Sequence, residues 1–405
     1  MRIIRLIALI STMFGFMAAV PPAAAQKIET RDGVRIVHNR GAWGETPEIT
    51  LEKVRTLGDI EAVDDTVTFY MPQDITLDGD GNLYVLDTGN HRIQKFSPGG
   101  EYLATLGRNG QGPGEFNYPC SLDTDGGNGF IVLSPYSNRI QFLDRDGRET
   151  GGLTLTDSLT ACLRRFGEER LLAAARRRTP IPGDDDHMNG LDPLMQIMNR
   201  QCEVLKTFGE PRDFKHGMVN TKANQVAFAV GPEGNIHLTF LHLNRVEKYS
   251  PGGEILWRAD RKLKYKSDKP LDKGKIETKG KSGVWIQGAR MNRCSEAVAV
   301  DDRGRVWVIT LDRQLEEEER AGTSISISSG AGGNTVSMSA RGGDEITETD
   351  AYRLDVFAPD GILLGIIPLD HFADLLLVRG DRLIILDKLR RMQVHEYRIR
   401  ESGAR

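Results

Sequence analysis

Apolar and polar residues recur along this chain in a fixed octet. It reads DGDGNLYV at 78–85, DGGNGFIV at 125–132, FGEERLLA at 166–173, GPEGNIHL at 231–238, DDRGRVWV at 301–308 and RGDRLIIL at 379–386. Turn-forming residues open each copy. Apolar residues then fill the sixth place (Leu83, Phe130, Leu171, Ile236, Val306, Ile384) and the eighth (Val85, Val132, Ala173, Leu238, Val308, Leu386). A turn followed by period-two apolar positions predicts a hairpin entering a strand. A second motif follows most octets: NHRIQKFSPGG at 90–100, NRIQFLDRDG at 138–147, NRVEKYSPGG at 244–253 and YRLDVFAPDG at 352–361. RMQVHEYR at 391–398 is its terminal version, and LMQIMNRQC at 194–202 a degenerate one. Each predicts a strand that ends in a tight turn. Thr-Leu-Gly at 56–58 and 105–107, echoed by Thr-Phe-Gly at 207–209, closes a fourth strand.

Each unit is therefore four strands, repeated six times, which predicts an all-β fold, a six-bladed β-propeller. The last unit, 371–399, supplies only three strands, while a strand at about 49–57 belongs to no N-terminal unit. The economical arrangement puts this N-terminal strand into the C-terminal blade and closes the ring, leaving no exposed array end. The expected organisation is an N-terminal arm over 26–48 and a single propeller over 49–400.

The first 25 residues have another origin. Arg2 and Arg5 precede an apolar stretch from Leu6 to Val20, and Ala23-Ala24-Ala25 precede Gln26. This pattern predicts a secretory signal peptide over 1–25, a periplasmic or secreted mature protein, and no membrane span in the mature chain. Its removal takes the formal charge from −4 to −6, because two arginines leave. That balance excludes a dedicated nucleic-acid binder, which carries a basic excess. Of 405 residues, 44 are Gly, as many short strands and tight turns require. Cys120, Cys162, Cys202 and Cys294 lack metal-ligand spacing. Alignment of the octets puts Cys120 and Cys162 on neighbouring innermost strands, where an exported protein could form a bridge.

PQDITLDGDGNLYVLDTGNHRIQKFSPGGEYLATLGRNGQGPGEF at 72–116, with DGVRIVHNRGAWG at 32–44, resembles exported bacterial six-bladed propellers of the NHL-repeat type. The resemblance is strongest in blades 1, 2 and 4 and poor in blade 3. It implies a six-bladed propeller and a binding role; no cofactor is expected for a binding module. The same resemblance reaches peptide-amidating lyases of the NHL type and lactonase-like hydrolases of the same fold.

Successive strands a to d of a blade are antiparallel, so a–b and c–d turns share one face and b–c and d–a loops the other. Every long insertion is of the second kind: 176–193, 261–293, 313–350 and the shorter 107–118. This decorated face is where a ligand is expected. Residues 261–281 carry nine basic and three acidic residues, and 313–350 eight acidic and three basic. Two solvated loops are one reading, and a charge-held lid over the channel mouth is the other. The low bulk of SISISSGAGGNTVSMSARGG (324–343) predicts a disordered segment.

Candidate chemistry follows from position. Arg92, Arg139, Arg245, Arg353 and Arg391 open strand c in five blades. They form either an anion-binding ring or a set of architectural pairs with carboxylates. His91, His216 and His242 fall in decorated-face loops, and His187 in Gly183-Asp184-Asp185-Asp186-His187. Arg108 and Glu115 flank the glycines of GRNGQGPGEF (107–116), and Asp74 and Glu296 stand at the channel end of strand a. The expected function is a binding or scaffold module for a peptide, protein or small anionic ligand. The alternative is a metal-dependent hydrolase or lyase using His91, His242 and a channel carboxylate around Ca²⁺ or Zn²⁺. No catalytic triad, nucleophile elbow or dinucleotide fingerprint is present.

Overall fold

The computed structural model describes residues 26–402 apart from 43–47, 59–67, 126–128, 156–161, 176–190, 279–283, 331–332 and 342–345. The leader segment, His187 and nearly all of insertion 176–193 lie outside the described residues. Six sheets form six blades, each numbered here in chain order with strands a to d from axis to rim. Blade 1 is Asp74–Leu77, Leu83–Asp87, Arg92–Phe96 and Tyr102–Leu106, and blade 2 is Ser121–Thr124, Phe130–Ser134, Arg139–Leu143 and Glu149–Thr154. Blade 3 is Leu163–Arg165, Arg170–Ala174, Met195–Asn199 and Val204–Phe208. Blade 4 is Val226–Val230, Ile236–Phe240, Val246–Tyr249 and Ile255–Asp260. Blade 5 is Ser295–Val300, Val306–Leu311, Tyr352–Phe357 and Leu363–Pro368. Blade 6 is Leu375–Arg379, Arg382–Leu386 and Val394–Glu401, with Ile49–Leu57 paired antiparallel to the last as its outermost strand. Arg379 donates to the carbonyls of Leu77 (3.2 Å) and Asp78 (2.7 Å), and Arg382 to Gly81 (2.7 Å), tying blade 6 to blade 1.

The sixth and eighth octet positions are all buried, at 1% exposure or less. So are most residues between them, such as Tyr84, Leu172, Trp307 and Ile385. A blade packs another blade on each side, so strand b is apolar on both faces, unlike a sheet with one wet face. The closing glycines have a local reason. Gly58 (φ +88°) and Gly107 (φ +78°) lie in the left-handed region, where a Cβ would sit 2.5 Å from Phe69 and 2.1 Å from Phe116 respectively. The glycine lets each aromatic ring enter the seam between blades.

The arm over 26–48 forms a hairpin, Lys27–Arg31 with Val34–His38, whose second strand runs parallel to strand d of blade 4. Buried Asn39 anchors it, donating to the carbonyls of Asp260 (2.9 Å) and Gly361 (3.1 Å) and accepting from the Leu363 N–H (2.8 Å).

Two insertions differ from expectation. Where a disordered segment is expected, Gly322–Gly330 pairs antiparallel with Gly333–Arg341 through nine registered residue pairs. Composition concealed the strand signal, which lies in the alternation Ser-Ile-Ser-Ile-Ser and Val-Ser-Met-Ser-Ala. Arg261, counted with the basic insertion, is not solvated. It is wholly buried between blades 4 and 5, paired with Asp355 at 2.8 Å and bonded to Thr310, Ser295 and the Cys294 carbonyl. All four cysteines are free thiols. Burial and the nearby Cys162 push Cys120 up to about 12, so both channel thiols are protonated at neutral pH.

Candidate functional site

The b–c and d–a loops converge at one end of the channel. The short helix Gly217–Ala223 and hairpin strands Lys275–Thr278 and Val284–Gln287 lie within the d–a loops before blades 4 and 5. The blade 5 hairpin reaches across to blade 1. Met338 and Ala340 pack on the Phe69, Met71 and Met392 cluster, and the Met338 N–H donates to the Tyr118 hydroxyl at 3.4 Å. Its base is held by Arg313, which forks onto Glu319 (2.6 and 2.7 Å), and by Arg390, which donates to the Glu319 carbonyl at 2.6 Å. That fork holds Glu319 down at about 2. Most of the insertion's bound carboxylates are thus neutralised inside it, Asp350 included, at 2.5 Å from Arg313. Among the described residues, the hydrogen bonds and ion pairs between the two charged insertions lie at their bases. Lys264 meets Asp312 at 2.5 Å, and Gln314 exchanges hydrogen bonds with the Arg293 backbone at 2.8 and 2.9 Å. The far contact combines the apolar packing of Met338 and Ala340 with the hydrogen bond to Tyr118.

Beneath the hairpin the mouth is lined with charge. The Glu296 side chain, 6% exposed, pairs with Arg293. Burial raises its carboxyl to about 7 although Arg293 opposes the shift. Asp387, raised to about 6 by burial and by Asp374, accepts N–H groups of Leu389, Arg390 and Arg391 and thereby shapes the b–c loop of blade 6. Lys222, lowered by burial and by Arg293, approaches from the helix. His242 is 3% exposed, bonds the Asn292 carbonyl through Nδ1 at 3.2 Å, and has a buried Nε2 without a partner among the described residues. Burial, Lys222 and Arg293 push it down to about 3, so it is a neutral ring.

The arginines of strand c are committed to their own blades. Arg92 pairs with Asp87 (2.8 Å), Arg139 forks onto Glu149 (2.6 and 2.8 Å), and Arg245 bonds Glu247 (2.6 Å). Arg353 joins Asp355 (2.9 Å) to Asp312 (2.8 Å). Arg92 ties strand c to strand b, Arg139 to strand d and Arg353 to Asp312 of a flanking loop, while Arg245 pairs two places along strand c itself, so the recurrence needs no ligand. Arg391 precedes its strand by three residues and contributes its N–H to Asp387. Arg108 pairs with Glu115 (2.9 Å), whose other oxygen accepts the Gly112 N–H (2.8 Å), closing the 107–116 turn above buried Phe116.

His91 accepts the Tyr118 N–H at its Nδ1 (3.1 Å) on blade 1, while His242 belongs to blade 4, across the ring. The fold does not bring the two together. No group of three or more His, Cys, Asp or Glu side chains among the described residues is arranged to hold a metal ion. No helix among them is long and apolar enough to cross a membrane.

Asp74, read as a lone channel carboxylate, is bound on both oxygens. Arg164 of blade 3 reaches past strand a of blade 2, bonding the Ser121 hydroxyl at 3.0 Å, and donates to them at 2.8 and 2.9 Å, and the Leu122 N–H adds a third bond at 2.9 Å. Arg164, Arg293, Asp374, Asp387 and Lys222 are the mouth and channel residues that sequence reasoning missed. The signal for Arg164 was its place beside the octet of blade 3, where the repeat is least regular.

The NHL repeat profile matches residues 69–96, which is blade 1 through strand c. NHL repeat-containing protein 3 of Mus musculus is 30% identical over 113 residues, 25% of this chain, and the match spans 33% of that protein. A DUF4221-family crystal structure from Bacteroides vulgatus superposes over 88% of this chain and 99% of its own with TM-score 0.56 and 9% identity. A gluconolactonase from Xanthomonas campestris covers 82% of this chain and 87% of its own at TM-score 0.46 and 11% identity. At those identities the likeness is one of fold.

Proposed function

We propose that this NHL-type six-bladed propeller is a binding module that takes a peptide or protein partner on its loop-decorated face. The carrying observation is the blade 5 hairpin reaching over the charged mouth to blade 1, where Met338 and Ala340 pack and the Met338 N–H meets Tyr118. A rigid ring with its long loops gathered at one end supports placing recognition there. A small anion is the weaker reading, because Arg92, Arg139, Arg245 and Arg353 already hold carboxylates. The apolar leader supports action outside the cytoplasm, in the periplasm or beyond.

The test is selection of random peptides on the immobilised full chain, followed by hydrogen exchange on the complex. Protection confined to 88–91, 107–118, 313–350 and 387–393 supports the proposal. Protection confined to the a–b turns, or no enriched peptide, overturns it.

A further inference from the structure

The other end of the channel is a separate chamber. The inner strands enclose a cavity of about 380 Å³ there, opening among the a–b turns. That volume lies in the lower part of the range for small-molecule sites. Its residues are largely apolar in type, such as Ile75, Leu77, Phe228 and Val298. These side chains are buried between blades rather than turned to the cavity. Strand a is the inner edge of every sheet, so it turns unpaired backbone N–H and C=O groups to the channel. The chamber wall is therefore a ring of alternating donors and acceptors.

Five charged residues join that wall: Asp123, Arg164, Arg165, Asp302 and Arg379. Four have clear employment. Arg164 is forked onto Asp74. Asp123 accepts the N–H groups of Arg165 (2.7 Å) and Thr124 (2.9 Å). Asp302 accepts the Gly380 N–H (2.8 Å), and Arg379 donates to the Leu77 and Asp78 carbonyls. Arg165 differs. Its guanidinium forms no ion pair or hydrogen bond among the described residues, and its Nε is buried without a partner. Its terminal nitrogens are not among the buried atoms and the residue lines the cavity, so a carboxylate there would pair with them in the planar geometry that guanidinium prefers.

The geometry points to a binding site for a small, hydrogen-bonding organic acid in this chamber, its carboxylate on Arg165 and its hydroxyl groups on the edge amides and carbonyls. This site lies at the opposite end of the channel from the peptide-binding mouth, and either assignment can fail alone.

The test is calorimetric titration of the full chain with citrate and with malate, against erythritol as a neutral polyol and sulfate as a plain anion. Saturable binding of citrate or malate at one site is expected, with erythritol silent and sulfate much weaker. Arg165→Gln should weaken it roughly ten- to a hundredfold. Because the Arg165 side chain has no partner among the described residues, the variant's melting temperature should match that of the parent chain. Arg108→Gln, on the other face, should bind as the parent does. No saturable heat at millimolar acid, an Arg165→Gln affinity equal to the parent's, or equal binding of sulfate would overturn the assignment.

Discussion

The two ends of this channel are built from the same six strands and treat charge in opposite ways. At the decorated mouth most cations are matched: Arg92, Arg139, Arg245, Arg313 and Arg353 each hold a carboxylate of their own blade or loop. At the plain end Arg165 is left over. Arg164, reaching from blade 3 to Asp74 of blade 1, stands between the two. The contrast teaches that charged residues recurring in register are architecture. The informative ones fall outside the repeat.

Breaking the bar between the ends should have the largest effect. Arg164→Ala leaves Asp74, 3% exposed, without its partner. A loss of about 3–5 kcal/mol is expected for a buried carboxylate so orphaned. Urea denaturation measures it, and a loss under about 1 kcal/mol would mean that the two ends are independent.

The next effect is at the mouth and depends on pH. Glu296 is raised from 4.5 to about 7 in the folded chain. The folded state therefore holds a proton that the unfolded state has released between those values, so stability falls as pH rises from 4.5 to 7 and is level above. A tenfold change in proton affinity corresponds to about 1.4 kcal/mol. Glu296→Gln should change little at pH 4.5 and gain about 2–3 kcal/mol over the parent at pH 8. Parallel stability curves for the two proteins between pH 4.5 and 8 would refute this.

A smaller change is expected from Met338→Asp, which puts a charge where the hairpin meets blade 1. Proteolysis within 313–350 should accelerate several-fold while the melting temperature of the ring stays within a few degrees. Since the hairpin's far contact pairs apolar packing with an uncharged hydrogen bond, 0.5 M NaCl should leave that rate nearly unchanged. A strong salt dependence would restore the charge-held lid. The least effect belongs to Arg108→Ala, whose side chain is 81% exposed. The loss should stay within about 1 kcal/mol by thermal melting, as for exposed ion pairs.

Much of the propeller was legible because its signal is local. The octets coincide with strand b in all six blades, and the orphan strand 49–57 lies against Val394–Glu401. The site was less legible. Arg92, Arg139, Arg245 and Arg353 were visible as a ring, but their partners were not. Asp87 and Glu149 stand 5 and 10 residues from theirs, on a different strand each time. The hairpin 322–341 was missed because Ser and Gly content outweighed its alternation.

Sequence by itself determined the number of blades, the strands within them and the face that carries the long loops. These follow from turn chemistry and period-two burial, which act over a few residues. Only the tertiary structure decided which charges cancel. Asp74 and Arg164 lie 90 residues apart, Arg261 and Asp355 lie 94 apart, and Met338 meets Tyr118 from 220 residues away. Electrostatic and packing free energies depend on distance in space and on burial, and a propeller sets both only when its ring brings distant blades together.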